Sequence, residues 1–240
     1  MDDPGQSHAK PFPRALLVAD ADTAARHLLG ARLVRGSGPD ARAGRIVEVE
    51  AYAGPEDLAS HARFGRTKRN AVMFGRPGVA YVYLVYGMYH CLNVVTEPTG
   101  SAAAVLVRAV APVSGVAQMR AARMSCAAER EAGRVARGVE QSRPDRRRLE
   151  TMPAARLASG PGLVCAAFSI GRADDGMDLC DPASDLRLEI AGEDPPLEAV
   201  AGPRVGIDYA AEPWLSRPWR IFVAGHASVS APAKSRKVIA

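Results

Sequence analysis

The chain has 240 residues, of which 48% are hydrophobic and 24% charged, and its formal net charge is +5. Length alone permits one substantial domain or two small ones. No apolar run approaches the roughly 20 residues that span a bilayer, and the opening MDDPGQSHAK is acidic and lacks the apolar core of a secretory signal.

The expectation is therefore a soluble, intracellular protein with no membrane partner. Cys91, Cys126, Cys165 and Cys180 show neither CxxC spacing nor a disulfide framework, so they read as reduced, apolar fillers. No metal and no cofactor are expected. The positive charge is nearly all arginine, the lysines being Lys10, Lys68, Lys234 and Lys237. That excess is compatible with a polyanionic partner without establishing one.

In chain order, residues 1–13 carry Pro4, Pro11 and Pro13 and read as a disordered arm. Asp22 can cap a helix over Thr23 to Leu29 that ends at Gly30. Arg45 to Tyr52 alternates as a strand, with Val47, Val49 and Ala51 on one face and Ile46, Glu48, Glu50 and Tyr52 on the other. Acids beside an aromatic on one face point to a polar cleft or solvent. After the turn at Gly54 to Asp57 comes an arginine-rich loop, HARFGRTKRN. Strands are expected over Val79 to Tyr86 and Met88 to Thr96, forming a hairpin with Tyr86, Gly87 and Met88 at its tip.

A further strand, Ala103 to Val110, sets Leu106 and Arg108 on one face and Val105 and Val107 on the other. Between Arg120 and Arg148 nine arginines meet four acids, interrupted by Gly133, Gly138 and Pro144. That segment, about 125–148, reads as a basic surface insertion. Gly160-Pro161-Gly162 opens a helix through Phe168, Arg204 to Ile207 and Arg220 to Val223 read as strands, and residues 232–240 as a frayed tail.

The chemistry concentrates between Ile46 and Arg108. Glu50 and Tyr52 share a strand face, and His61 follows on a loop that can fold back over it. Tyr81, Tyr83, Tyr86 and Tyr89 are four of the chain's six tyrosines, within nine positions. Enzymes acting on a nucleobase in duplex DNA need such parts. The base must leave the stack, enter a pocket between aromatic faces and be replaced by a wedge. Hydrolysis of a sugar–base bond needs a carboxylate to activate water, usually with a second carboxyl as acid. A purine that already carries positive charge needs less acid help, so one carboxylate can suffice. The same features also fit a packed tyrosine-rich sheet, and Glu48 shares the face with Glu50, so these residues alone do not choose the base.

The ordered segments VEVEAY, GPEDLASHA, MFG-PG, YVYLVYGMYHCLNVV and VLVRA, with SGPG and RVGIDYA later, resemble the alkyladenine (3-methyladenine) DNA glycosylase family from about Leu16 to Val223. The resemblance implies a mixed α/β (α+β) domain over 14–231, built around a curved antiparallel β-sheet with a protruding β-hairpin. It implies a monofunctional base-excision repair enzyme that flips alkylated or deaminated purines from double-stranded DNA. Hydrolysis of the N-glycosidic bond then leaves an abasic site, and the enzyme works as a monomer.

By position, the resemblance makes Glu50 the water-activating base and Arg108 its neighbour at the water and target nucleotide. Tyr52, His61 and Tyr83 flank the extruded base. Asn93 crowds the exocyclic amine of guanine. Tyr86, helped by Met88, fills the vacated stack. The chain departs from the family at Leu163, where a lysine is common, and in the length of the segment 125–148. The alternatives are a non-catalytic damaged-DNA binder on the same fold, which has no use for Glu50, and a nucleoside hydrolase, which has no use for an exposed Tyr86 hairpin. Lesion preference stays open among methylated purines, hypoxanthine and etheno adducts.

Overall fold

A computed structural model describes residues 10–85, 87–135, 146–190 and 197–230. Its elements in chain order are α1 (Ala21–Leu28), β1 (Arg32–Arg35), β2 (Arg42–Tyr52), β3 (Ala80–Val85), β4 (Tyr89–Thr96), β5 (Ala103–Ser114), α2 (Val116–Val135), α3 (Arg146–Glu150), α4 (Pro161–Ala167), β6 (Leu186–Glu189), β7 (Ala199–Gly202) and β8 (Arg220–Val223). The fold is the expected mixed α/β domain on a curled antiparallel sheet. No described helix is long and apolar enough to cross a membrane.

The sheet runs β3-β4-β5-β2-β1-β6, and β8 joins β2 and β7. β2 is the hub. One edge pairs with β5 along most of its length; the other pairs with β1 at Arg42 to Arg45 and with β8 at Glu48 to Glu50. Strands β3 and β4 form the hairpin, from Ala80↔Val94 to Val85↔Tyr89. The expected bounds of this hairpin hold to within a residue or two.

The alternation read for β2 breaks at one point. Ile46 faces Val110 and Glu48 faces Ala109, so Val47 is an extra residue, and the next pair, Val49↔Val107, skips Arg108 on β5. Such irregularities turn side chains to the other face and re-aim them. Ile46 therefore joins Val49, Ala51, Val105 and Val107 in the main core, while Val47 packs in a small cluster with Ala109 and Val223. The acids on the opposite side are not in solvent: Glu48 and Glu50 are both 0% exposed.

α1 begins slightly earlier than its sequence suggests. Asp20, and not Asp22, accepts the Thr23 backbone N–H and caps it; Asp22 pairs with Arg26 instead. Gly30 follows at φ +91°, the left-handed geometry that favours glycine after a helix. Arg204 to Ile207 is not a strand, because the Val205 N–H is spent on a carboxylate and not on a ladder.

Part of the expected basic surface insertion is helical. Residues 125–135 belong to the 20-residue helix α2. It is anchored by buried Met119 and by Arg120 and Arg123, whose guanidiniums donate to backbone carbonyls of Leu149, Met152 and Leu157. Residues 136–145 of that expectation, and the tail from 232, lie outside the described residues.

The arm expected over residues 1–13 is likewise docked at its end. Phe12 is buried in the main core and its N–H donates to Leu188 O at 3.0 Å, with Pro11 bridging to Glu189. Residues 1–9 are outside the described set. Removing a buried phenyl ring costs about 3–5 kcal/mol. Phe12→Ala should therefore lower the melting temperature by roughly 6–20 °C, at about 2–4 °C per kcal/mol for a chain of this size. Calorimetry checks this; an unchanged melting temperature would make residues 10–13 a dispensable arm.

Candidate active site

At the irregular crossing of β2 and β5, four charged side chains meet. Glu48 Oε1 accepts from Arg108 Nε at 3.0 Å, Arg220 Nε at 2.7 Å and Ser230 Oγ at 2.8 Å, and its Oε2 accepts from Ser230 N–H at 2.7 Å. Burial raises the Glu48 pKa, but Arg108 and Arg220 outweigh it and hold the carboxyl below its ordinary value. Glu48 is thus held by Arg108, Arg220 and Ser230 together.

Glu50 has a different set of partners. Its Oε1 accepts the Val205 N–H at 2.7 Å and its Oε2 accepts the Tyr52 hydroxyl at 2.9 Å, with Arg108 Nη1 3.2 Å from Oε2. These three neighbours all line one cavity. Burial depresses the Arg108 pKa, yet Glu50 and Glu48 on either side hold it above the ordinary value, so the guanidinium stays charged.

The cavity measures about 310 Å³ and opens between the β3–β4 hairpin and the loop around Val205 to Tyr209. Tyr52, His61, Tyr83, Asn93 and Arg108 all line it. The structure thus brings together every pocket residue read from the sequence. His61 meets Tyr83 edge-on at 4.5 Å between ring centroids, and its Nδ1 lies 3.0 Å from the Tyr81 hydroxyl. The Tyr52 ring has Arg204 Cζ 4.7 Å from its centroid, and burial followed by the Glu50 charge pushes its hydroxyl pKa up. Asn93 Nδ2 donates to Tyr81 O at 3.1 Å, which fixes the amide across the pocket floor. Val85, next to the hairpin turn, also lines the cavity.

At the hairpin tip Gly87 is exposed at φ +66° and Met88 is half-buried, its N–H donating to Val85 O at 3.1 Å. Tyr86, the expected wedge, lies outside the described residues.

A family model described as methylpurine-DNA glycosylase (MPG) matches residues 15–227. The chain belongs to that family. It is a DNA glycosylase of base excision repair, an enzyme that hydrolyses N-glycosyl bonds. A protein of Myxococcus xanthus is 42% identical over 94% of this chain and 97% of its own length. One of Bacillus cereus is 39% identical over 91% and 98%, and one of Methanocella arvoryzae 45% identical over 82% and 84%. All three carry the description "Putative 3-methyladenine DNA glycosylase".

Several residues of this glycosylase's site escape sequence reasoning. Arg204 sits behind Tyr52, fully enclosed, with Nη1 and Nη2 on Asp57 at 2.5 and 2.9 Å and a bond to Ala51 O at 2.9 Å. Both partners fall in recognisable segments, GPEDLASHA and RVGIDYA, yet nothing in either announces the pairing. Arg220 and Ser230 reach Glu48 from the far end of the chain. Cys91, a cavity residue, has its thiol pushed up to about 11 by burial and stays neutral.

Burial, with Arg69 and Arg63 alongside, pushes His61 from 6.5 down to about 4. The unfolded chain takes up this proton near 6.5 and the folded chain only near 4, so the unfolded state binds more protons between those values. His61 thus costs no stability above about pH 6.5 and progressively destabilises the fold as pH falls towards 4. Denaturant unfolding at pH 7.5 and pH 5 should show a smaller stability difference for His61→Gln than for the native protein. Equal differences would mean that the ring titrates normally.

Proposed function

We propose that the enzyme turns an alkylated or deaminated purine out of double-stranded DNA into the cavity between Tyr52 on one side and His61 and Tyr83 on the other. Glu50 then takes a proton from a water that attacks C1′, and the glycosidic electron pair leaves with the base. The observation that carries this reading is that the partners of Glu50, Tyr52, Arg108 and Val205, all line the cavity, whereas Glu48 is tied to Arg220 and Ser230, which are not among its lining residues. A general base must accept a new hydrogen bond from water before it takes the proton. Glu50 is the acid whose partners all belong to the cavity wall.

The other roles are those that the family resemblance gives to these positions. Arg108 supplies fixed positive charge at the carboxylate and the incoming nucleotide. The tethered Asn93 amide is a rigid obstacle to the exocyclic amine of guanine. Tyr86, with Met88, fills the vacated position in the stack. Base–aromatic stacking contributes roughly 1–3 kcal/mol per base, which offsets much of the unstacking cost. The protein acts as a monomer, and the product is an intact abasic strand. A strand-cleaving glycosylase forms a Schiff base through an amine, and the lysine of the motif block, Lys68, stands in the arginine-rich loop and not among the cavity residues.

Glu50→Gln should lower single-turnover base release by at least a thousandfold while affinity for a lesion duplex stays within a few-fold, since the amide keeps shape but accepts no proton. Glu48→Gln should instead lower stability, because it leaves two buried guanidiniums short of a charge; breaking such a network costs about 3–5 kcal/mol. Base release and melting temperature measured on both variants check the division. Turnover near native in Glu50→Gln would move the base elsewhere.

Borohydride should trap no covalent complex, and chelator should leave the rate unchanged. A trapped adduct at an internal lysine would overturn the monofunctional reading. Base release from duplexes carrying methyladenine, methylguanine, hypoxanthine or ethenoadenine then ranks the lesions.

A further inference from the structure

One rim of the cavity ends in a surface that the catalytic chemistry leaves unused. Tyr209 lines the cavity, and its ring is 62% exposed. Arg63 Cζ lies 4.9 Å from the Tyr209 centroid and 4.4 Å from the centroid of Phe64. Phe64 is 71% exposed, the most exposed of the chain's large apolar side chains among the described residues. The guanidinium is thus held between two open rings, and it donates to Leu58 O. Tyr209 is itself braced by its hydroxyl on Ala59 O at 3.2 Å.

Grouped exposed apolar side chains can mark interaction sites, and a guanidinium is attracted to the faces of neighbouring aromatic rings. The surroundings name the charge of the partner. Residues 61–74 contain Arg63, Arg66, Lys68 and Arg69 and no acid. Arg66 lies over Phe74 and Arg69 over Tyr83, so this positive strip runs from the cavity wall to the platform. A sugar–phosphate backbone offers apolar sugar faces to the rings and anionic oxygen to the guanidinium between them.

We propose that Arg63, Phe64 and Tyr209 form a platform for the backbone of the lesion strand, gripping a nucleotide that adjoins the extruded one. The inference rests on the reading that the damaged base occupies the cavity. Because Tyr209 belongs to both surfaces, a strand that delivers its nucleotide into the cavity crosses the platform next. Contacts of this kind position the substrate without reading bases, so the platform fixes where the strand turns out of the duplex.

The test uses the full-length protein and a duplex holding a tetrahydrofuran abasic analogue. In that duplex the flanking phosphates of the lesion strand are replaced singly by uncharged methylphosphonates. The native protein should lose about fivefold to tenfold in affinity at one flanking position and little elsewhere. Arg63→Gln and Phe64→Ala should bind the all-phosphate duplex that much more weakly, and lose nothing further at the same position. Arg63→Gln should also flatten the log affinity against log salt plot by about one unit.

Additive losses at every position, or variants that bind like native with an unchanged salt slope, would overturn the platform. Should a variant misfold, the methylphosphonate scan on native protein still decides, since a flat profile at the flanking phosphates is sufficient to reject the platform. Base release by the native protein from a methyladenine duplex separates the two readings. Release without coupling keeps the cavity and removes the platform, whereas no release from any lesion removes both.

Discussion

Arg108 is the point on which the site depends. Its guanidinium spans two fully buried carboxylates, with Nε on Glu48 and Nη1 on Glu50. Burying a lone charge costs several kcal/mol, and the penalty is recovered only when partners and hydrogen bonds are complete. Two acids and two arginines, Glu48, Glu50, Arg108 and Arg220, make the cluster neutral, and Ser230 closes it. Glu48 ties this arrangement to Arg220 and Ser230, and Glu50 ties it to the cavity residues Tyr52 and Val205.

The sheet irregularity makes that geometry available. In a regular antiparallel pair Arg108 would face a single β2 residue across the ladder. Here the register steps from Glu48↔Ala109 to Val49↔Val107, so Arg108 has no opposite partner. Its side chain reaches acids on both sides of the step. The Val205 N–H, released from any strand pairing, supplies the last backbone donor to Glu50. Both deviations from regular sheet thus serve one carboxylate, which is where locally imperfect structure is expected in a folded chain.

What the sequence discloses follows from periodicity and motif. Alternation in β3, β4 and β5 locates the hairpin and puts Leu106 and Arg108 on the cavity side, away from Val105 and Val107. The same periodicity fails at Ile46 and Val47, since a bulge leaves no mark in a run of apolar residues. The pocket residues Tyr52, His61, Tyr83 and Asn93 are legible only through family resemblance, because each alone is as common in an ordinary packed sheet. Composition misleads at the N-terminal end: prolines make residues 10–13 resemble an arm although Phe12 is docked. Along 125–148 composition marks the surface but does not disclose the helix α2 that occupies its first part. Arg120 and Arg123 cap distant carbonyls there, a use of arginine that charge counting does not reveal. The choice between Glu48 and Glu50 depends on Arg220 and Ser230, about 170 residues and more away.

Under the proposed function, the electrostatics of the walls bear on how a charged purine is received. Burial and the neighbouring arginines keep His61 neutral, and burial keeps Cys91 and the tyrosine hydroxyls protonated. The acid–arginine cluster beneath them sums to zero. Arg108, the charged side chain among the cavity-lining residues, is thus balanced by acids, while Arg63 and Arg69 stand outside the lining, beside His61. Cation–π attraction over a desolvated aromatic face contributes up to about 2 kcal/mol, and a neutral purine gains none of it. That difference is a factor of about 30 in occupancy at 1.4 kcal/mol per decade. It acts before any bond is broken, and it favours the bases whose glycosidic bonds are also the weakest. Deaminated bases carry no such charge, so for them the fixed Asn93 amide and the cavity's shape must supply the discrimination.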